Sequence, residues 1–292
     1  MKAQIKILIF IPLFAFLTSC SQTNGNCKSE ASIKNTTNQN KSIDSSGKTI
    51  VLRFLTPDGY ERFSYNKNTF EYFLSNFPLK PIDAKVYYFN GEEKPNRNVY
   101  ASVFDIDVGK KDLQQCADAV MRLRAEYLFG QKKFKEIHFN FTNGFRVDYI
   151  KWAEGNRIKI SGKKTSWFKT KDADYSYKAF QEYLEIIFSY AGTLSLSKEL
   201  EKVPLDSIRV GDIFIIGGSP GHAVIVVDLA LNKKTNKKIF MIAQSYMPAQ
   251  NIHLLVNLEN KEISPWYDLT QTDKLYSPEY TFEKSDLKRF SK

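Results

Sequence analysis

Three short apolar runs, cut apart by turn residues, dominate the C-terminal half of this 292-residue chain. The first is Ile213-Phe214-Ile215-Ile216, opened by Gly211-Asp212 and closed by Gly217-Gly218-Ser219-Pro220-Gly221. The second follows His222 and runs from Ala223 to Val227, just before Asp228. A polar turn at 232–238 (NKKTNKK) separates it from the third, at 239–243, which ends in Gln244-Ser245. Runs this short and this apolar are expected to be strands buried in an antiparallel sheet. If the second and third pair as a hairpin, the start of one lies beside the end of the other. His222 and Gln244 then become neighbours.

Upstream the period changes to that of helices. Leu113, Ala117, Val120, Met121 and Leu128 fall at i, i+4, i+7, i+8 and i+15, which predicts an amphipathic helix over 112–129. Asp112 followed by Gln115 resembles a capping box at its start. A second long helix is expected over 175–190, and a short one over 69–77 with Asn68 as N-cap. A helical turn is expected at 197–203. Residues 50–55, 85–89 and 99–108 read as extended. Residues 136–161 read as a meander of antiparallel strands split by Asn143-Gly144 and Gly155-Asn156. The fold class is therefore α+β.

The N-terminus sets the expected compartment. Lys2 and Lys6 precede an eleven-residue apolar stretch, 7–17, too short to span a bilayer, which takes about 20 residues. That is the layout of a secretory signal over 1–19. The stretch ends Leu17-Thr18-Ser19-Cys20, which resembles the bacterial lipobox, with Cys20 as the lipid-attachment residue. Residues 20–48 are rich in Ser, Asn, Thr, Lys and Gln and are expected to form a disordered tether. The folded domain is expected over 49–292. The chain carries 42 Lys+Arg against 32 Asp+Glu, a net charge of +10. Such a balance favours anionic surfaces. In an exported, lipid-anchored protein it points to the membrane through the lipid and to an anionic envelope polymer such as peptidoglycan, and not to nucleic acid.

Chemistry has few carriers here. Beyond the tether there is one cysteine, Cys116, and the only histidines are His138, His222 and His253. Cys116 falls in the first turns of the long helix, where free N–H groups stabilise a thiolate. His222 heads an otherwise apolar strand after a glycine-rich loop and suits a general base. Gln244 is placed to orient its ring. His138 and His253 lie in alternating stretches and read as surface positions. The competing readings are that Cys116 is a small buried hydrophobe, or that it pairs with Cys27 in a disulfide. No cofactor is expected. A metal at His222 and Asp228 lacks a third ligand.

The order of these features resembles the NlpC-type branch of papain-like cysteine peptidases and amidases: a helix starting with Cys, Gly-Asp before an apolar strand, Gly-His leading the next, and a polar residue ending the one after. The resemblance implies a papain-like fold with Cys116 as nucleophile, His222 as base and Gln244 as orienter. It departs from that pattern at Gln115-Cys116-Ala117-Asp118 and in having Gln as third residue. The segments GDIFIIGGSPGHAVIVVD and AQSYMPAQ are also similar to a family of bacterial lipoproteins known only as a domain of unknown function. The functional expectation is a membrane-anchored envelope hydrolase of amide bonds, with peptidoglycan stem peptides as substrate. The alternative is an inactive binding module using Phe145, Tyr149, Trp152, Trp167 and Phe168 as a recognition surface.

Overall fold

A computed structural model describes residues 42–162 and 164–291. The expected signal, the lipid acceptor Cys20, Cys27 and residues 20–41 of the expected tether lie outside the described residues. Residues 42–48, assigned above to the tether, belong instead to the folded domain. The Leu55 N–H donates to the Ser42 carbonyl at 2.8 Å, and Ile43 bridges Phe54. The buried Arg53 side chain donates to the Gly47 carbonyl at 2.8 Å. Backbone pairing holds this stretch, so its polar composition gave no sign of order.

In chain order the elements are α1 (Ile50–Arg53), β1 (Glu61–Arg62), α2 (Phe70–Ser75), β2 (Tyr100–Val103), α3 (Cys116–Gly130), β3 (His138–Asn140) and β4 (Arg146–Asp148). There follow α4 (Tyr149–Ala153), β5 (Asn156–Ser161), β6 (Lys164–Lys169), α5 (Tyr177–Tyr190), α6 (Thr193–Glu199), β7 (Glu201–Lys202), β8 (Ile213–Ile216) and β9 (His222–Asn232). The chain closes with β10 (Lys237–Gln244), β11 (His253–Leu255), β12 (Lys274–Tyr276), β13 (Thr281–Glu283) and β14 (Leu287–Arg289). The principal sheet runs β2-β11-β10-β9-β8-β14-β7, with β1 added beside β9, and all its pairings are antiparallel. The fold is thus mixed α/β with antiparallel sheets.

The three apolar runs form β8, β9 and β10 at the centre of this sheet, as their composition requires. Helices α2 and α3 pack on β9, and α6 packs on β8. Phe214, Phe240, Tyr267 and Phe282 meet ring to ring, with centroids 5.8–6.2 Å apart. Offset aromatic pairs at such spacings add to the area they bury.

Elsewhere local pattern was overridden. Residues 50–55 carry the helical turn α1 rather than a strand. Residues 85–89 make only single bridges, Tyr87 to Glu93 and Tyr88 to Gln250. The expected meander is two separate hairpins, β3-β4 and β5-β6, with α4 between them. Tyr149 and Trp152 of α4 are buried, and Trp152 donates its indole N–H to the Ala179 carbonyl at 3.0 Å. Phe145 and Trp167 are partly buried against the core, leaving Phe168 exposed. The five aromatics therefore form no common recognition surface; most serve packing.

Candidate active site

The long helix begins four residues later than its capping signal suggested. Gln115 is the N-cap and Cys116 the first helical residue, while Asp118 accepts the Gln115 N–H at 3.1 Å. Cys116 is a free, half-buried thiol at the open end of α3. The preceding segment is tied to the far end of β10. The Ala249 N–H donates to Asp112 Oδ1 at 2.7 Å, and the Ser245 hydroxyl lies 2.9 Å from the Gln114 carbonyl. These contacts fix the helix start relative to the strand that carries Gln244.

His222 opens β9 and is 1% exposed. Its ring lies among Tyr246, Tyr280 and Phe282, at centroid distances of 4.7, 5.0 and 6.0 Å. Gly221 immediately before it permits a close approach: a Cβ there would stand 2.4 Å from the Gly218 carbonyl oxygen and 2.6 Å from Thr193 Oγ1. The His222 Nε2 lies 2.7 Å from Gln244 Oε1 across the β9-β10 hairpin. Cys116 and His222 line one cleft of about 320 Å³, with Tyr246, Met247 and Tyr280 on its wall.

Two further residues, absent from the sequence reading, decide how this pair is arranged. Gln244 Nε2 donates to Glu279 Oε2 at 2.6 Å. A carboxylate only accepts, so the amide must turn its Nε2 toward Glu279 and its Oε1 toward His222. The imidazole then carries its proton on Nε2, and Nδ1 keeps a lone pair. Glu279 is held in turn by the Lys94 ammonium at 2.6 and 2.8 Å, and Lys94 also donates to Gln250 Oε1 at 2.9 Å. Burial pushes the Glu279 carboxyl up, but His253 and Lys94 outweigh it and hold the group at about 2. Burial pulls Lys94 below the usual ammonium range.

His253 corrects a reading from alternation. It is fully buried in β11, between β2 and β10, with Nδ1 2.8 Å from the Asn251 carbonyl and Nε2 3.4 Å from Gln244 Nε2. The NIHLLV alternation implied an outward side chain, but β11 is covered on both faces. His138 is half-buried and contacts the Glu136 carbonyl, away from the cleft. Asp228 is engaged by Arg62 at 2.7 Å.

The electrostatics overturn one expectation. Burial, and then the Asp118 carboxylate, push the Cys116 thiol up to about 11, against the pull of the Ala117, Cys116 and Ala223 N–H groups. Burial lowers His222 to about 4, although Gln244 opposes this. At neutral pH the thiol is protonated and the imidazole neutral, where a depressed thiol was anticipated. Desolvation outweighs the helix end because the charged form loses its water first.

Residues 50–289 match the family described as Domain of unknown function (4846). The chain belongs to this family. The match covers the described domain from α1 to β14, and Cys116, His222, Gln244, Glu279 and Lys94 all fall within it. No curated protein and no solved structure matches the chain. Among the described residues no group of three or more His, Cys, Asp or Glu is placed to hold a metal ion, and no helix is long and apolar enough to cross a membrane.

Proposed function

We propose that this DUF4846 chain is a thiol hydrolase of amide bonds, working through Cys116 with His222 as base and Gln244 as the group that orients it. The observation that carries the reading is the Gln244–His222 hydrogen bond. It leaves a lone pair on Nδ1 of a ring that lines the same cleft as Cys116. The proton starts on sulfur and moves to His222 Nδ1 as Sγ attacks the substrate carbonyl carbon. The resulting imidazolium gives that proton to the leaving amine as the C–N bond breaks. Water, deprotonated by the same nitrogen, then releases the acid from the thioester. Gln244 serves throughout by accepting the Nε2–H. Backbone N–H groups at the open end of α3 lie where negative charge develops.

The order of Cys116, His222 and Gln244 along the chain supports a papain-like arrangement. The lipobox-like Leu17-Thr18-Ser19-Cys20 supports export and attachment to a membrane through Cys20. Peptide stems of the cell wall are then the substrate class within reach of such an anchor. Incubating the full chain with stem-peptide fragments tests the activity. Release of a new amine by the wild type, and none by Cys116→Ala, is the expected result. Equal release from both sinks it. A second reading, a non-catalytic binding module on the same scaffold, is favoured by one observation: the thiol stands near 11 and the imidazole near 4, so proton transfer between them is uphill. Tight retention of intact stem peptides by both proteins, without cleavage, would select it.

A further inference from the structure

A second cavity, of about 380 Å³, shares no lining residue with the thiol cleft. Its wall holds four cationic side chains: Arg124 of α3, Lys133 just beyond that helix, Arg209 ahead of β8, and Arg289 at the end of β14. Arg289 is committed, with Nε and Nη2 on the buried Asp212 carboxylate at 2.6 and 2.8 Å. Among the described residues Lys133 pairs only with the exposed Glu136, 3.6 Å away. Arg209 makes no side-chain hydrogen bond or ion pair among the described residues. Neither does Arg124.

Arg124 is the telling case. Its guanidinium lies over Phe70, Tyr127 and Phe290, at 5.1, 5.7 and 5.4 Å from the ring centroids. Cation–π contacts hold the charge without forming hydrogen bonds to N, O or S, so its N–H groups keep their donor capacity for an anion. Gly211 helps set this platform. With φ of +91° it adopts a conformation that side chains rarely take, and a Cβ would stand 2.9 Å from the Phe70 ring. Glu71 also lines the cavity. With Asp212 already neutralised by Arg289, the wall still carries two more cations than carboxylates.

We propose that this cavity binds a phosphate group. One guanidinium fork satisfies a planar carboxylate, whereas cations converging from several segments suit an anion with three or more oxygens and up to two charges. The group arrives either on a small soluble phosphate ester or on an anionic phospholipid headgroup, and the chemistry recognised is shared. The site is independent of any reaction at Cys116.

The test uses the full chain with Cys20→Ala, so that no lipid anchor contributes. Thermal unfolding is followed as inorganic phosphate replaces chloride at constant ionic strength and pH. Phosphate should raise the midpoint saturably, and Arg209→Gln should weaken the apparent affinity at least tenfold. Arg209 is exposed, so its replacement should leave the fold intact. Arg124→Gln should have the same effect, and Lys159→Gln on the exposed part of β5 should have none. Sedimentation with phosphatidylglycerol vesicles, against phosphatidylcholine, distinguishes the sources. Arg209-dependent pelleting identifies a headgroup, and phosphate binding without pelleting identifies a soluble ester. No phosphate-specific rise, or a rise weakened equally by Lys159→Gln, overturns the proposal.

Discussion

Glu279 is the side chain on which the surroundings of His222 turn. Its carboxylate sets the Gln244 amide, the amide sets the imidazole tautomer, and the tautomer leaves Nδ1 unprotonated. Glu279→Gln replaces an acceptor by a group that also donates, so the Gln244 amide is free to rotate. Its NH2 then faces His222, which moves the proton to Nδ1. Alkylation of Cys116 should slow about tenfold, a barrier change of roughly 1.4 kcal/mol, while nitrogen-15 spectra of His222 should report the tautomer change. Unchanged spectra would show that the carboxylate plays no such part. Glu279→Ala should also destabilise the domain, by about 2–4 kcal/mol, because Lys94 is left buried without its partner. Adding Lys94→Met should recover most of that loss, as judged by urea unfolding. Glu279 and Lys94 were not legible in the sequence. Each is one charged residue among many, separated by nearly the whole domain, and only the fold brings them together.

At the scale of elements, the site is made where secondary structures end. Cys116 begins α3, His222 begins β9 and Gln244 ends β10. The β8-β9-β10 unit was readable because continuous apolar runs between turn signals leave few alternatives. Its readability carried the His222–Gln244 adjacency with it. The helices α3 and α5 were readable from their period. The start of α3 was not, since Asp112 and Gln115 mimic a cap while Gln115 and Asp118 make the actual one. Short segments such as 50–55 and 149–153 follow their packing rather than their propensity. His253 was misplaced because alternation presumes a strand with one wet face. The Gly221 approach offers a test at this scale. Gly221→Ala should push the 217–221 loop from Thr193, costing about 1–3 kcal/mol of the kind seen on overpacking. Cys116 reactivity should fall along with the melting temperature. A variant as stable and as reactive as wild type would show that the close approach is not needed.

For the whole molecule, the buried histidines make stability depend on pH. His222 titrates near 4 when folded and near 6.5 when unfolded. Between those values the unfolded chain binds more protons, so stability is present above about 6.5 and is lost as pH falls toward 4. For His222 alone the loss is about 3 kcal/mol. Burial lowers His253 as well, and its contribution has the same sign. Buried carboxyls such as Glu199, pushed up to about 7, act in the opposite sense, so the test is a difference. In urea unfolding at pH 7, 5.5 and 4 the wild type should lose more stability on acidification than His222→Gln, and parallel profiles would contradict the burial of His222 as a neutral base. The central claim is that His222 takes the proton of Cys116, and one measurement reaches it directly. The rate of iodoacetamide addition to Cys116 at pH 7, read by intact mass and peptide mapping, is compared in the wild type and in His222→Ala. The account predicts that the adduct on the Cys116 peptide forms at least tenfold more slowly in the variant, although its fold is retained, while alkylation of Cys27 is unchanged. Equal rates in the two proteins would contradict it.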